Sequence, residues 1–526
     1  MTKTPTSEQE EAIRYPGSTV ITARPGSGKT YTISQKIAEE SRDLLGYQGV
    51  IAISYTRKAS NELKVRCERM GVMKNASFFG TIDGFCLQEI IAPFASRYAN
   101  KKLNVEVIDC DKPRAFDCSN LGDIVRTSIL DGKIPVYLLC AAATEILRKT
   151  KAAAKYIQSR YKSAYVDEYQ DCGKAQHELV MLLELMGLRI VAVGDLDQAI
   201  YGWAGKSSRF LKELVKNERF KHFELTNNHR CHPSIVAYSL QLLGKSAQTT
   251  SLDENRVIAA LVPGDEAEIV TAIERYIPGI KEKYDVEDNR EIAIIARSNS
   301  TLDRVASALT IPYKRFEKNE LDDGYSKWKR VFSKLLETYF SESRFAGDFV
   351  NAYISADTDV RARSTCIKLV NEYLATEISA ISKTVNLALQ IAELCEPGEM
   401  RDGDTEAYIH AIDSEEALRV CYQQAGKNDL SLLTYHKAKG LEFDVVFCLD
   451  AYQYVMPPYK YELMDYDAYS ESLSMHYVGI TRARKVCFIP MGTIRHNNKG
   501  ISFKAKPSPF LSINGLYGAR RSVRWG

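Results

Sequence analysis

The chain contains no Cys-x-x-Cys pair, and its 12 cysteines and 8 histidines nowhere adopt the spacing of a zinc or iron–sulfur site. Scattered cysteines of this kind are expected to be reduced and buried, as in a cytoplasm. No apolar run is long enough to span a bilayer, and the N-terminal residues lack the pattern of a signal peptide. A soluble, cytoplasmic protein is therefore expected. Low-complexity linkers and internal repeats are absent. Net charge is only +3, so bulk electrostatics do not single out a polyanionic partner. Acids, however, are missing after Glu471, while cations recur from Arg482 to Arg524. That end cannot supply a metal-binding carboxylate cluster for cleavage, but it suits a phosphate backbone.

Against these absences, 526 residues with 45% hydrophobic composition are enough for three or four domains or subdomains. Short apolar runs alternate with amphipathic helical stretches from Thr19 to about Cys86, which is α/β patterning with a parallel sheet. Helical stretches dominate from about Ile90 to Arg160, and strands resume at Ala164–Val166 and Arg189–Val193. A second α/β block is marked by Glu291–Ala296, Leu430–Leu433 and Asp444–Leu449, with a mainly helical stretch from about Glu317 to Lys427. The expected organisation is two sheet-bearing blocks, each interrupted by a helical insertion.

The stretch Ala23-Arg24-Pro25-Gly26-Ser27-Gly28-Lys29-Thr30 follows the apolar run Thr19–Thr22 and precedes a helical segment. Strand, glycine-rich turn and helix N-terminus together aim backbone N–H groups and a helix dipole at an anion. Lys29 is placed to reach the β- and γ-phosphates of a nucleoside triphosphate, and the Thr30 hydroxyl to hold Mg²⁺. Ala23 stands where the strict motif has glycine. Further on, Tyr165-Val166-Asp167-Glu168 ends a strand in two acids. Asp167 is expected to hold Mg²⁺ through water and Glu168 to polarise the attacking water as general base.

More segments carry unusual residue types in the same order: Val193–Gly205, which contains Gly194-Asp195-Leu196-Asp197-Gln198 and ends in aromatics; Asn228-His229-Arg230; Thr434–Phe443; and Tyr477-Val478-Gly479-Ile480-Thr481-Arg482-Ala483. With these the chain resembles the UvrD/Rep/PcrA group of superfamily 1 DNA helicases, from about Ser7 to Leu511. The resemblance implies an α/β fold of two RecA-like P-loop NTPase domains with parallel sheets, each carrying a mainly helical insertion. On that pattern the first RecA-like domain is residues 1–89 and 160–228 with insertion 90–159, and the second is 229–316 and 428–526 with insertion 317–427. It also implies ATP and Mg²⁺ as cofactors and 3′–5′ movement on single-stranded DNA or at junctions with duplex.

Residue by residue, the resemblance places Ala23, Pro25, Gly26, Ser27, Gly28, Lys29 and Thr30 around the phosphates. Gln9 reads the adenine, which stacks between Tyr31 and His229, where the best-known members have Arg and Tyr. Gln198 senses the γ-phosphate, Glu442 contacts the ribose, and Arg230 and Arg482 act as arginine fingers from the second domain. A planar guanidinium stabilises charge on a transferring phosphoryl group. Tyr55, Tyr201 and Trp203 match base-stacking positions, while Thr56, Thr81, Arg297, Asn299 and His436 match positions that hold phosphates or bases. Stacking of this type is tolerant of sequence.

The chain departs from the family pattern at three places. Asp83 replaces a histidine, and an acid beside a phosphate backbone is unfavourable. Ser474 replaces an arginine ahead of the last motif, and Pro509 replaces an arginine in Lys506–Leu511. The second insertion is short, which weakens the expectation of strong unwinding by the chain alone. The alternative is a DNA-stimulated ATPase subunit of a nuclease-containing assembly, for example in anti-phage defence. A nuclease or other DNA-processing protein is then its partner.

Overall fold

The computed structural model describes residues 4–54, 57–71, 76–108, 120–198, 200, 208–246, 254–315, 321, 326–341, 343–354, 360–459 and 466–526. By contacts the chain divides into two units. One comprises Met1–Ala259, Ala451–Cys487 and Lys506–Ser522, the other Ala260–Asp450, Phe488–Ala505 and Val523–Gly526.

The first unit is built on strands β1 (Thr19–Ala23), β2 (Gly49–Ile53), β3 (Phe78–Gly80), β6 (Tyr161–Val166), β7 (Arg189–Gly194) and β8 (Lys221–Leu225), in the order β3-β2-β6-β7-β1-β8. All these pairings are parallel. β1 and β2 are buried along their whole length, so both faces are covered and their sequences read as continuous apolar runs rather than alternating ones. Registers Thr22↔Gly194, Ala23↔Leu225 and Val166↔Ala192 bring the carboxyl ends of β1, β6, β7 and β8 to one edge. In an open parallel sheet that edge is where ligands bind. The strands β4 (Glu106–Ile108) and β5 (Lys133–Pro135) pair with each other within the helical stretch between β3 and β6.

One buried cation fixes the entry to this sheet. Helix α1 (Ser7–Arg14) ends in carbonyls that accept from Lys36 Nζ: Ala12 at 3.0 Å, Ile13 at 2.9 Å and Tyr15 at 2.5 Å. Lys36 belongs to α2 (Lys29–Asp43), so the ammonium ties α1 to α2 where the α1 dipole is negative. Burial pushes its pKa down to about 8, against the pull of Glu40. Between about pH 8 and the ordinary lysine pKa the unfolded chain binds the extra proton, so this group adds stability as pH rises through that window. Lys36→Met should cost ~1–3 kcal/mol at pH 7, and the wild-type advantage should widen between pH 8 and 10. Urea midpoints at the two pH values test this; a constant gap would mean that Lys36 does not titrate there.

In the second unit the strands β10 (Ile292–Ala296), β11 (Tyr313–Arg315), β12 (Leu430–Thr434) and β13 (Phe443–Cys448) pair in parallel. They belong to a seven-stranded sheet ordered β11-β12-β10-β13-β14-β9-β17, with β9 at Val257–Val262, β14 at Ala483–Gly492 and β17 at Arg521–Arg524. A hairpin, β15 (Ile494–His496) with β16 (Ser502–Lys504), follows β14. Between β11 and β12 the described chain is helical, around a core that includes Phe332, Leu335, Phe349, Val370, Tyr373 and Tyr408. Among the described residues no helix is long and apolar enough to cross a membrane.

Candidate nucleotide site

The loop after β1 is shaped by two glycines in left-handed backbone, Gly26 at φ 71° and Gly28 at φ 83°. A side chain is strained at such φ values, and there is no room for one here. A Cβ on Gly26 would lie 2.5 Å from Arg230 Cβ, and one on Gly28 would lie 2.6 Å from Gln9 Nε2. Gly28 caps α2 without a side-chain hydrogen bond, and the first turn carries no acid. The leading N–H groups of α2 and its positive dipole end are thus presented at the loop. Gln9 is buried and braces it: Nε2 donates to the Ser27 carbonyl at 2.9 Å, while Oε1 accepts from Thr6 N at 3.0 Å. An amide has a second N–H and a second lone pair, so these bonds leave capacity for a base edge.

Asn228 closes the other side of the loop. Its Nδ2 donates to the Pro25 carbonyl at 2.6 Å, and its Oδ1 accepts from Arg230 N at 2.8 Å and Cys231 N at 2.7 Å. His229 N donates to the Gly26 carbonyl at 2.8 Å, with the imidazole exposed. Tyr31 is half-buried in the first turn of α2.

Acids and cations converge beside the loop. Lys29 Nζ lies 3.3 Å from Glu168 Oε1. Burial works against the ammonium, but Glu168, Asp167 and Asp195 together hold its pKa above the ordinary lysine value. Glu168 itself has left-handed backbone, φ 55°, a conformation costing ~1–3 kcal/mol in a non-glycine residue. Its Oε2 accepts from Gln170 Nε2 at 2.5 Å. Gln170, fully buried, also accepts from Asp195 N at 3.0 Å and so links the ends of β6 and β7. Asp195 accepts from Gln198 Nε2 at 2.8 Å. Burial pushes its carboxyl up to about 6, with Lys29 pulling the other way.

Arg482 completes the cluster. It is buried, donates from Nε to the Val478 carbonyl at 3.0 Å, and reaches Thr481 Oγ1 at 3.2 Å and Gln198 Oε1 at 3.5 Å. Burial, then the nearby Arg230, bring its pKa down to about 10. Both arginines lie in the first of the two contact-defined units. The donor set fits a triphosphate with Mg²⁺: the Lys29 ammonium and the Thr30 hydroxyl in the first turn of α2, and two carboxylates at the end of β6.

The other predicted residues are distributed as follows. Ala23 is the buried last residue of β1. Thr81 caps a short helix after β3, accepting from Gly84 N at 3.2 Å. In the second unit the register Ala296↔Thr434 sets the segments after β10 and β12 on one edge of their sheet. Those segments carry Arg297, exposed Asn299 and half-buried His436. Glu442 is exposed just before β13. Tyr55, Thr56, Tyr201 and Trp203 lie outside the described residues. Sequence reasoning missed Gln170, Asp195 and Asn228 as parts of the site. The only signal for Gln170 and Asp195 was their presence inside the acid-bearing motifs.

Parallel sheet, left-handed glycine loop and acidic strand ends define a P-loop NTPase fold. Comparison with known proteins makes this specific. The UvrD/REP helicase N-terminal domain matches residues 5–129 and 133–219, and the UvrD-like helicase C-terminal domain matches residues 341–492. The chain belongs to the UvrD/Rep/PcrA-like superfamily 1 helicases. It is 25% identical to the Gabija protein GajB of Bacillus cereus over 510 residues, covering 93% of this chain and 96% of that protein. It is 23% identical to the ATP-dependent DNA helicase PcrA of Staphylococcus epidermidis, covering 97% and 86% respectively. PcrA of Staphylococcus aureus is also 23% identical, with coverage of 93% and 83%.

Proposed function

We propose that this chain is an ATP-driven motor that moves 3′–5′ along single-stranded DNA and couples hydrolysis to strand separation, in cytoplasmic repair, replication or DNA processing. One observation carries the reading: Lys29, Asp167, Glu168, Gln198 and Arg482 meet at one edge of a parallel sheet, beside a loop that excludes side chains. Lys29 leaves the Glu168 carboxylate to bind the β- and γ-phosphates. Glu168, held at Oε2 by Gln170, orients and deprotonates the attacking water. Gln198 joins Asp195 to Arg482, so the position of the guanidinium reports on the phosphate it faces. Arg482 and Arg230 stabilise the charge on the transferring phosphoryl group. Mg²⁺ held by Thr30 and Asp167 would neutralise phosphate charge.

The DNA contacts of this reading are Tyr55, Tyr201 and Trp203 for base stacking, and Thr56, Thr81, Arg297, Asn299 and His436 for the backbone and bases. Gln9, Tyr31, His229 and Glu442 hold the nucleoside. ATP hydrolysis by the purified chain should rise at least tenfold on adding single-stranded oligonucleotide, and a 3′-tailed duplex should be opened in preference to a 5′-tailed one. ATPase activity indifferent to DNA would defeat the motor reading.

A second reading, an ATPase subunit of a nuclease-containing assembly with little unwinding alone, is favoured by size. The alignment with GajB spans nearly the whole of both proteins. Under that reading DNA still stimulates hydrolysis, but neither tailed duplex is opened until the partner is added.

A further inference from the structure

The helix Tyr466–Ile480 carries Ser472 and His476 one turn apart on the same face. Both side chains are buried, and so is Arg520. Ser472 Oγ, both ring nitrogens of His476 and Nε of Arg520 have no hydrogen-bond partner in the protein. Arg520 donates once, to the Leu511 carbonyl, and its guanidinium lies 4.8 Å from the centre of the Tyr517 ring. No carboxylate is paired with it among the described residues. Its charge is felt by the imidazole: burial, then Arg520, hold His476 down at about 4, so the ring is neutral at pH 7. The Phe510 ring covers His476 at 6.3 Å.

Buried polar atoms without partners are costly, and a buried cation without a counter-charge more so. The guanidinium can only donate, while the hydroxyl and the neutral imidazole each offer one donor beside a lone pair. With those hydrogens turned to one point the three groups can donate to a single small acceptor, and the unpaired guanidinium charge favours an anion there over a metal cation. We propose that Ser472, His476 and Arg520 hold a buried monovalent inorganic anion of about chloride size. The seat lies against the middle and second half of the helix that ends two residues before Arg482, so an ion there would stiffen the support of the proposed finger. It is distinct from the triphosphate site, and its test needs neither nucleotide nor DNA.

The experiment is thermal unfolding of the full chain at constant ionic strength as sodium gluconate is replaced by sodium chloride. The wild-type midpoint should rise saturably by a few degrees. Ser472→Ala, which only deletes a hydroxyl, should shrink that rise, and Arg520→Gln should abolish it. A bromide-soaked crystal should show an anomalous peak between the three side chains. An equal chloride effect in all variants would be a general salt effect and would overturn the proposal. Absence of any chloride effect in the wild type would mean that water fills the site, and would overturn it equally.

Discussion

Glu168→Gln should lower ATP turnover by ~10²–10⁴-fold, the range for loss of a general base, while ATP still binds. The substitution keeps shape but not charge. In the free protein Lys29 takes Glu168 as its nearest counter-charge, at 3.3 Å, with Asp167 and Asp195 as weaker partners. Neutralising Glu168 frees the ammonium for phosphate, so nucleotide affinity should hold or increase. Gln170 would still find an acceptor in the new amide oxygen. Phosphate release together with binding of a fluorescent ATP analogue checks both halves. Turnover within tenfold of wild type would remove Glu168 from the chemistry. Lost binding would show that the carboxylate mainly shapes the loop.

Arg482→Gln should reduce turnover by ~10³–10⁵-fold, the contribution of an arginine finger, without reducing stability. In the nucleotide-free protein the guanidinium is buried, and Arg230 adds to the burial in working against its charge. The pull of Cys231, Glu168 and Tyr477 does not restore it. In the proposed role a cation kept at such a cost serves the bound state, where phosphate charge would compensate it, and sites of this kind trade stability for function. The thermal midpoint of the nucleotide-free variant should therefore equal or exceed that of wild type. A lower midpoint with a modest loss of turnover would make Arg482 a packing residue that happens to lie near the loop.

The two substitutions also separate the proposed roles. In those roles Glu168 would act on the attacking water and Arg482 on the charge of the transferring phosphoryl group. Only the second is linked through Gln198 to the end of β7. DNA stimulation measured as a ratio should thus survive in the residual activity of Glu168→Gln and weaken in Arg482→Gln.

Much of this protein was legible in its sequence because local chemistry sufficed. The order strand, glycine loop, Lys29-Thr30, helix points to one arrangement, since glycine adopts without strain the φ of 71° and 83° that the loop requires. The continuous apolar runs of β1 and β2 announce strands covered on both faces, hence a parallel α/β sheet. Asp167 and Glu168 follow such a run directly, so their place at a strand end was set by chain order. Family membership was readable for the same reason, as a succession of short segments each carrying its own chemistry.

Tertiary structure decided what the segments do to one another. Gln170 reads as one more polar residue in Asp167-Glu168-Tyr169-Gln170, yet strand order β6-β7 lets its amide bridge Glu168 and Asp195. Asn228 becomes a clamp on Pro25 only because β8 pairs with β1 across about 200 residues of chain. The pKa values of Asp195 and Arg482 depend on burial, which no motif states. Ser472, His476 and Arg520, whose buried polar atoms are left unpartnered, lie in segments that carry no site motif. Sequence by itself determined the residue types and the backbone that each segment could adopt, because those are set within a few residues. Which charges share a site, and at what protonation, was left to packing, because Coulombic and desolvation energies depend on distance through space rather than along the chain.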